Sequence, residues 1–213
     1  MKKSFFSIIC LMAALTANQA LASGDAVAGE SKVAVCAGCH GGDGNSMVAS
    51  FPKLAGLGEN YLVRQLRDIK SGERVIASMT GILDASSDQD LQDMAAYYNG
   101  QQRQISGAQE ITLIGYSEPA EVLELGENIY RGGNIKTEVA ACIGCHSPAG
   151  KGNDPAGYPA LGGQHADYIE SQLLKYRSGE RASGGNAKIM QGVAERMSNK
   201  EIKAVANYIS GLN

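Results

Sequence analysis

Two short stretches of this sequence carry chemistry in their spacing: Cys36-Ala37-Gly38-Cys39-His40 and Cys142-Ile143-Gly144-Cys145-His146. Two cysteines three apart on one helical turn face the same way and can each form a thioether to a porphyrin vinyl group. The histidine that follows then sits under the iron. On this reading Cys36, Cys39, Cys142 and Cys145 attach two haem c groups, and His40 and His146 are the proximal ligands. A single such pentapeptide would also suit a thioredoxin-like redox pair or half of a zinc site. The second copy decides against both, because a zinc site built from the four cysteines leaves two histidines idle and a dithiol does not need a histidine twice.

An iron held by one histidine has an open face, and what fills it separates electron carriers from enzymes. Outside the motifs and beyond residue 22 the inventory is His165, Met47, Met79, Met94, Met190 and Met197. An internal repeat selects among them. The segment from Phe51 to Arg74 lies over that from Tyr158 to Arg181 at an offset of 107, and the segment from Ser87 lies over that from Ser198 at an offset of 111. At the latter offset Met79 falls on Met190, whereas Met94 falls on Val205 and Met197 on Ser86. The symmetric pair Met79 and Met190 is therefore expected on the distal faces, where a soft thioether suits iron and raises its potential. Met94 is expected in the core. The carbonyls of Pro52 and Pro159 are expected to accept from the proximal imidazoles, fixing their orientation. His165 reads as a surface histidine at a helix start, and Tyr61, Tyr168, Tyr97 and Tyr208 as helix-packing aromatics.

The elements that must place these groups read as helices. Stretches 25–36 and 121–130 carry apolar residues at helical spacing, each with a glycine, Gly29 or Gly126, where another helix can approach closely. Stretches 60–69 and 167–176 are amphipathic, with Asn60 and Asp167 as N-caps and Gly72 and Gly179 as stops. Ser87 with Asp90, and Ser198 with Glu201, open the last helix of each copy as capping boxes. No strand alternation is convincing. The expected fold is all-α, a tandem duplication of two small helical domains, each wrapped round one covalent haem that supplies core the side chains lack.

Met1-Lys2-Lys3, an apolar run from Phe5 to Leu15 and Ala20-Leu21-Ala22 have the form of a secretory signal. Removing it takes away Cys10 and leaves the four motif cysteines with none to spare. The expected division is 1–22 signal peptide, 23–105 N-terminal domain and 106–213 C-terminal domain, with a linker at about 101–117 lying on the surface of one domain. Without Lys2 and Lys3 there are 17 basic and 22 acidic side chains, a net of −5, so there is no basic excess to hold nucleic acid. Up to Glu110 the net is −4 and beyond it −1, an imbalance that can orient the molecule toward a charged partner.

These residues resemble the cytochrome c4 family, periplasmic dihaem proteins made of two class I cytochrome c domains. The resemblance runs through CAGCHGGDGNS, FPKLAGLGENYLVRQLRDIKSGER and MTGILDASSDQDLQDMAAYY in the first half. In the second it runs through RGGN, VAACIGCHSPAGKGNDPAGYPALGGQHADY and IMQGVAERMSNKEIKAVANYISGL. It implies His/Met ligation through His40 with Met79 and His146 with Met190, and a pseudo-twofold pairing with haem propionate edges facing across the interface. It also implies a monomeric periplasmic electron carrier, not an enzyme, passing electrons from a quinol-oxidising bc complex to a cbb3-type or other terminal oxidase or to periplasmic reductases, with a peripheral place at the membrane surface left open. Fewer residues separate Arg74 from Met79 than in some relatives, which implies a shorter loop on that side. Two other classes stay open: a dihaem enzyme (peroxidase or thiosulfate-oxidising) and the cytochrome subunit of a sulfide-oxidising flavocytochrome.

Overall fold

The computed structural model describes residues 24–213, so the signal segment expected over 1–22, Cys10 included, lies outside the described residues. The chain order is α1 (Ala26–Glu30), α2 (Ala37–His40), α3 (Glu59–Ser71), a 3-10 turn (Ala77–Met79) and α4 (Asp88–Asn99). The pattern then repeats as α5 (Pro119–Gly132), α6 (Ile143–His146), a 3-10 turn (Asp154–Ala156), α7 (Ala166–Ser178), α8 (Ala187–Ala194) and α9 (Asn199–Gly211). Among the described residues the only β-type pairings are isolated bridges, Asn134 with Val139 and Asn153 with Tyr158. The protein is all-α, two copies of one helical unit.

In each copy the first and last helices cross, α1 on α4 and α5 on α9. Glycine makes the approach possible. A Cβ at Gly29 would lie 2.1 Å from the Asp93 carbonyl oxygen and 2.9 Å from Tyr97 Cβ, and one at Gly126 would lie 2.3 Å from the Ala204 carbonyl oxygen and 2.8 Å from Tyr208 Cβ. Asp93 and Tyr97 fall on Ala204 and Tyr208 at the offset of 111, so the duplication extends to individual contacts. Both expected capping boxes form: Ser87 Oγ accepts from Asp90 N, Ser198 Oγ accepts from Glu201 N, and each carboxylate reaches back. Gly72 and Gly179 end α3 and α7 in the left-handed region, at φ 80° and 79°. Met94 is buried against Val33, Leu62 and Tyr98, as expected.

Four local expectations are corrected. The helix read over 25–36 stops at Glu30, because turn bonds from Lys32 N to Gly29 O and Cys36 N to Val33 O (both 2.9 Å) redirect the chain and bury Val33. Asn60 lies inside the first turn of α3, not at its cap. Its N–H donates to Asp154 Oδ1 at 2.9 Å, so the second half supplies a carboxylate to the positive end of a first-half helix. Asp167 likewise lies within the first turn of α7, with His165 at the cap position. The segment 101–117 does not lie on one half alone. Asn45 Oδ1 accepts from Gln104 N (2.8 Å) in the first half, while Ser106 N donates to Gly163 O (3.0 Å) and Gly107 N to Ser210 O (2.8 Å) in the second.

At the α1–α4 crossing, Asp93 accepts from Lys32 Nζ (2.5 Å), Asp25 N (2.8 Å) and Gln89 Nε2 (2.8 Å). Burial pushes this carboxylate up, but the bonds from Lys32, Asp25 and Gln89 outweigh it and hold it below the ordinary 3.8. A depressed carboxylate stabilises the fold fully above its unfolded value, and that stability is lost as pH falls through the lower folded value. The melting temperature is therefore expected to fall steeply below about pH 4, and thermal melts of Asp93→Asn are expected to show a lower plateau with a shallower acid limb.

Candidate haem sites

Each C-x-x-C-H run forms a single helical turn in which the histidine N–H returns to the first cysteine carbonyl at 2.9 Å: His40 to Cys36, His146 to Cys142. The turn brings both cysteines to one side and tucks the imidazole inward, leaving His40 8 % and His146 6 % exposed. His40 Nδ1 lies 2.9 Å from the Pro52 carbonyl oxygen and His146 Nδ1 2.9 Å from that of Pro159. A carbonyl only accepts, so Nδ1 must carry the proton and Nε2 presents its lone pair. Among the described residues no group hydrogen-bonds either Nε2. Burial lowers the pKa of both imidazoles, against the smaller opposing effect of the proline carbonyls, and keeps them in the neutral form a metal needs. Phe51 and Tyr158 pack edge-on to the rings, each at 6.2 Å between centroids.

After each histidine the backbone turns through positive φ, at Gly41 (80°) in the first copy and Ser147 (66°) in the second. With ψ at 160°, Ser147 sits in a region that only glycine enters freely. Its Oγ accepts from Lys151 N at 2.9 Å, which offsets part of the strain. Ser147→Gly is expected to raise stability by about 1 kcal/mol, read as a higher denaturation midpoint with unchanged slope.

In the second half Cys142, Cys145, His146 and Met190 line one cleft. Its walls are apolar, with Leu161, Ile169, Leu173, Val193, Val205 and Ile209 among them, and the space they border, the solvent in its open mouth included, is about 1410 Å³. First-half residues Leu57, Tyr61, Arg64 and Gln65 also line it. Burial pushes the Cys142 thiol up to about 12, which disfavours the thiolate that redox or zinc chemistry requires and suits a neutral thioether. Among the described residues no group of three or more His, Cys, Asp or Glu side chains comes together to hold a metal ion, so the cysteines of the two motifs do not converge on zinc. A large apolar slot, paired cysteines on its rim and a free imidazole nitrogen within fit a porphyrin.

In the first half Cys36 packs against the core beside Tyr98, and Met79 ends its 3-10 turn half-buried. Met190 by contrast lies within α8. The four residues gained between Arg181 and Met190 are slightly more than one helical turn, and they make a helix of what is a tight turn in the first copy.

Other residues are placed differently from the sequence reading. His165 is half-buried and bridges the halves, its Nε2 2.8 Å from Ser46 O and its Nδ1 3.1 Å from Ser106 Oγ. Tyr61 and Tyr168 do more than pack, since both hydroxyls accept from arginines of the opposite half. Arg103, Lys53 and Gln164, which sequence reasoning missed, also span the interface. Arg103 donates to the carbonyls of Ala55, Ala160 and Gly162, and Gln164 exchanges two 2.9 Å bonds with the Lys53 backbone.

Residues 26–102 and 131–213 each match the cytochrome c family model. The chain is 49 % identical to cytochrome c4 of Stutzerimonas stutzeri over 205 residues, 92 % of this chain and 93 % of that one. The chain belongs to the cytochrome c4 family. The crystal structure of reduced recombinant cytochrome c4 from Pseudomonas stutzeri superposes with a TM-score of 0.82 at 48 % identity, covering 89 % of this chain and 100 % of the other. A more distant relative, 36 % identical over 178 residues (83 % of this chain, 78 % of that one), is the thiosulfate dehydrogenase electron acceptor of Stutzerimonas stutzeri strain A1501. As a cytochrome c4, the protein is a dihaem electron carrier with two covalently bound haem c groups. Among the described residues of this cytochrome no helix is long and apolar enough to cross a membrane.

Proposed function

We propose that the two haems are held by Cys36, Cys39, His40 and Met79 in a domain spanning 23–105, and by Cys142, Cys145, His146 and Met190 in one spanning 106–213. We further propose that the protein shuttles single electrons in the periplasm without transforming a substrate. The convergence of Cys142, Cys145, His146 and Met190 on one apolar cleft carries this reading. When bound, haem c supplies a one-electron iron couple. The chain's own residues do the rest. The proline carbonyls fix the imidazole planes, and the apolar walls exclude water and favour the less charged reduced state. Met79 and Met190 would hold the iron together with His40 and His146, leaving a substrate no place to bind it.

The donor proposed from the family resemblance is a quinol-oxidising bc complex, and the acceptor a cbb3-type or other terminal oxidase. The thiosulfate dehydrogenase electron acceptor among the relatives favours a second donor, a sulfur-oxidising enzyme. Mixing oxidised protein with each donor and following the reduced haem absorption distinguishes the two routes. A pyridine haemochrome count tests the core of the proposal. Two haems per chain, with no carbon monoxide binding in the native reduced state, is the expected result; colourless protein or ready carbon monoxide binding would sink it.

A further inference from the structure

Asn60, Arg64 and Asp68 follow one another at i, i+4 steps along one face of α3, and each of the three reaches the second half. Asn60 donates from its N–H to Asp154 Oδ1 (2.9 Å), and from Nδ2 to Asp154 Oδ2 (3.2 Å) and the Asp154 carbonyl (3.3 Å). The Arg64 guanidinium lies over two glycines, since a Cβ added at Gly157 would meet it at 3.6 Å and one at Gly185 at 3.5 Å. A Cβ at Gly184 would lie 3.2 Å from Asp68 Oδ2 and 3.6 Å from Arg64 Cδ. Asn186, at the cap position of α8, joins the two gripped segments by donating from Nδ2 to the Ala156 carbonyl at 3.1 Å. Its own carbonyl accepts from Met190 N at 3.3 Å. The loop that α3 covers therefore opens directly into the helical turn that carries Met190.

The duplication does not repeat these side chains. At the offset of 107 the counterparts of Asn60, Arg64 and Asp68 are Asp167, Ser171 and Lys175, and those three line a groove formed by second-half residues. A serine is too short to cover a loop as Arg64 does. The clasp also contains a weak point. Asp68 Oδ2 is buried with Gly184 packed against it and has no hydrogen-bond partner among the described residues. Burial and Glu73 push the pKa of this carboxyl up against the pull of Arg64, Arg74 and Arg181, so its charged form is the one disfavoured. Separating the halves returns that oxygen to water, so the charge that the clasp buries also loosens it.

We propose that Asn60 and Arg64 are positioning residues for Met190: the α3 face holds the loop that launches α8 and so keeps the methionine on the second iron while the halves are docked, with the buried carboxylate of Asp68 setting how readily that hold opens. This rests on the reading that Met190 is the distal ligand of the second haem. Met79 belongs to the half that supplies the clasp and is not held by it. Opening the clasp frees one methionine, not both.

Cyanide entry into the full ferric dihaem protein tests the proposal. In a Met79→Ala background the methionine-to-ferric charge-transfer band that remains belongs to Met190, and at saturating cyanide it bleaches at the rate the methionine leaves. Arg64→Ala is expected to speed this bleaching about tenfold, as loss of packing frees the loop to open locally. Asp68→Asn is expected to slow it about threefold, because an uncharged amide costs less to bury. In the reciprocal Met190→Ala background neither substitution is expected to change the bleaching of the Met79 band. Unchanged bleaching at Met190 in Arg64→Ala, bleaching no slower in Asp68→Asn, or equal acceleration at both methionines, which general loosening would give, each overturns the inference. A Met79→Ala protein with two haems and no charge-transfer band overturns instead the reading that Met190 is a ligand. Should the Arg64→Ala protein fail to fold, Asn60→Ala, at an exposed position, is expected to speed bleaching at Met190 alone, and no change there overturns the proposal equally.

Discussion

Met190→Ala is expected to remove the methionine-to-ferric charge-transfer band of one haem, lower that haem's potential by on the order of 0.2 V within the ~0.8 V that axial ligands span, and let the reduced protein bind carbon monoxide. Met79→Ala is expected to do the same to the other haem. The controls are internal. Met94 and Met197 are 6 % and 4 % exposed and sit in the two cores, so their replacement by alanine is expected to cost about 2–4 kcal/mol of stability and leave the band intact. Optical spectra and denaturation of the four variants therefore separate a ligand from a packing residue. The two axial positions should not respond equally. Met190 is carried on the eight-residue helix α8 that lines the cleft, whereas Met79 sits on a three-residue 3-10 turn, so exogenous ligands are expected to enter faster in Met79→Ala.

The second large effect is structural. Gly126→Ala would place a Cβ 2.3 Å from the Ala204 carbonyl oxygen, and neither helix backbone can give way as a flexible side chain would. The α5–α9 crossing must open, uncovering Ile202, Val205 and Ile209, and a loss of about 3 kcal/mol or more is expected. Gly29→Ala meets the Asp93 carbonyl at 2.1 Å and is expected to act similarly on the first half. Denaturation followed separately at the two haems should show Gly126→Ala loosening the second half first. A single coincident transition for both halves would mean that the interface, not each crossing, sets cooperativity.

What the sequence determined lay mostly in short patterns local to each copy, although Asn60 and Asp167, read as caps in both, lie inside their helices. The attachment turns, the proline carbonyls beside the histidines, the close-approach glycines, the capping boxes and the glycine stops each need only a few residues at fixed spacing, and duplication displays every such signal twice. The offset of 111 likewise sets Met79 over Met190, and the two then lie in different local structures, a 3-10 turn and α8. What only the tertiary structure decided lies between the copies. The carboxylate of Asp154 at the start of α3, the bridging His165, the strap of 101–117 and the bonds of Arg74 and Arg181 to tyrosines of the opposite half join groups between about 60 and 120 positions apart. An isolated Tyr61 or Gln65 on a helix face looks like packing or a solvated polar residue. Its role appears only when docking removes water and brings a guanidinium from the other half within hydrogen-bonding distance, because an unpaired buried donor costs more than a solvated one. Local spacing writes a covalent site into the chain, while the electrostatic surroundings of that site arise from desolvation between two folded surfaces.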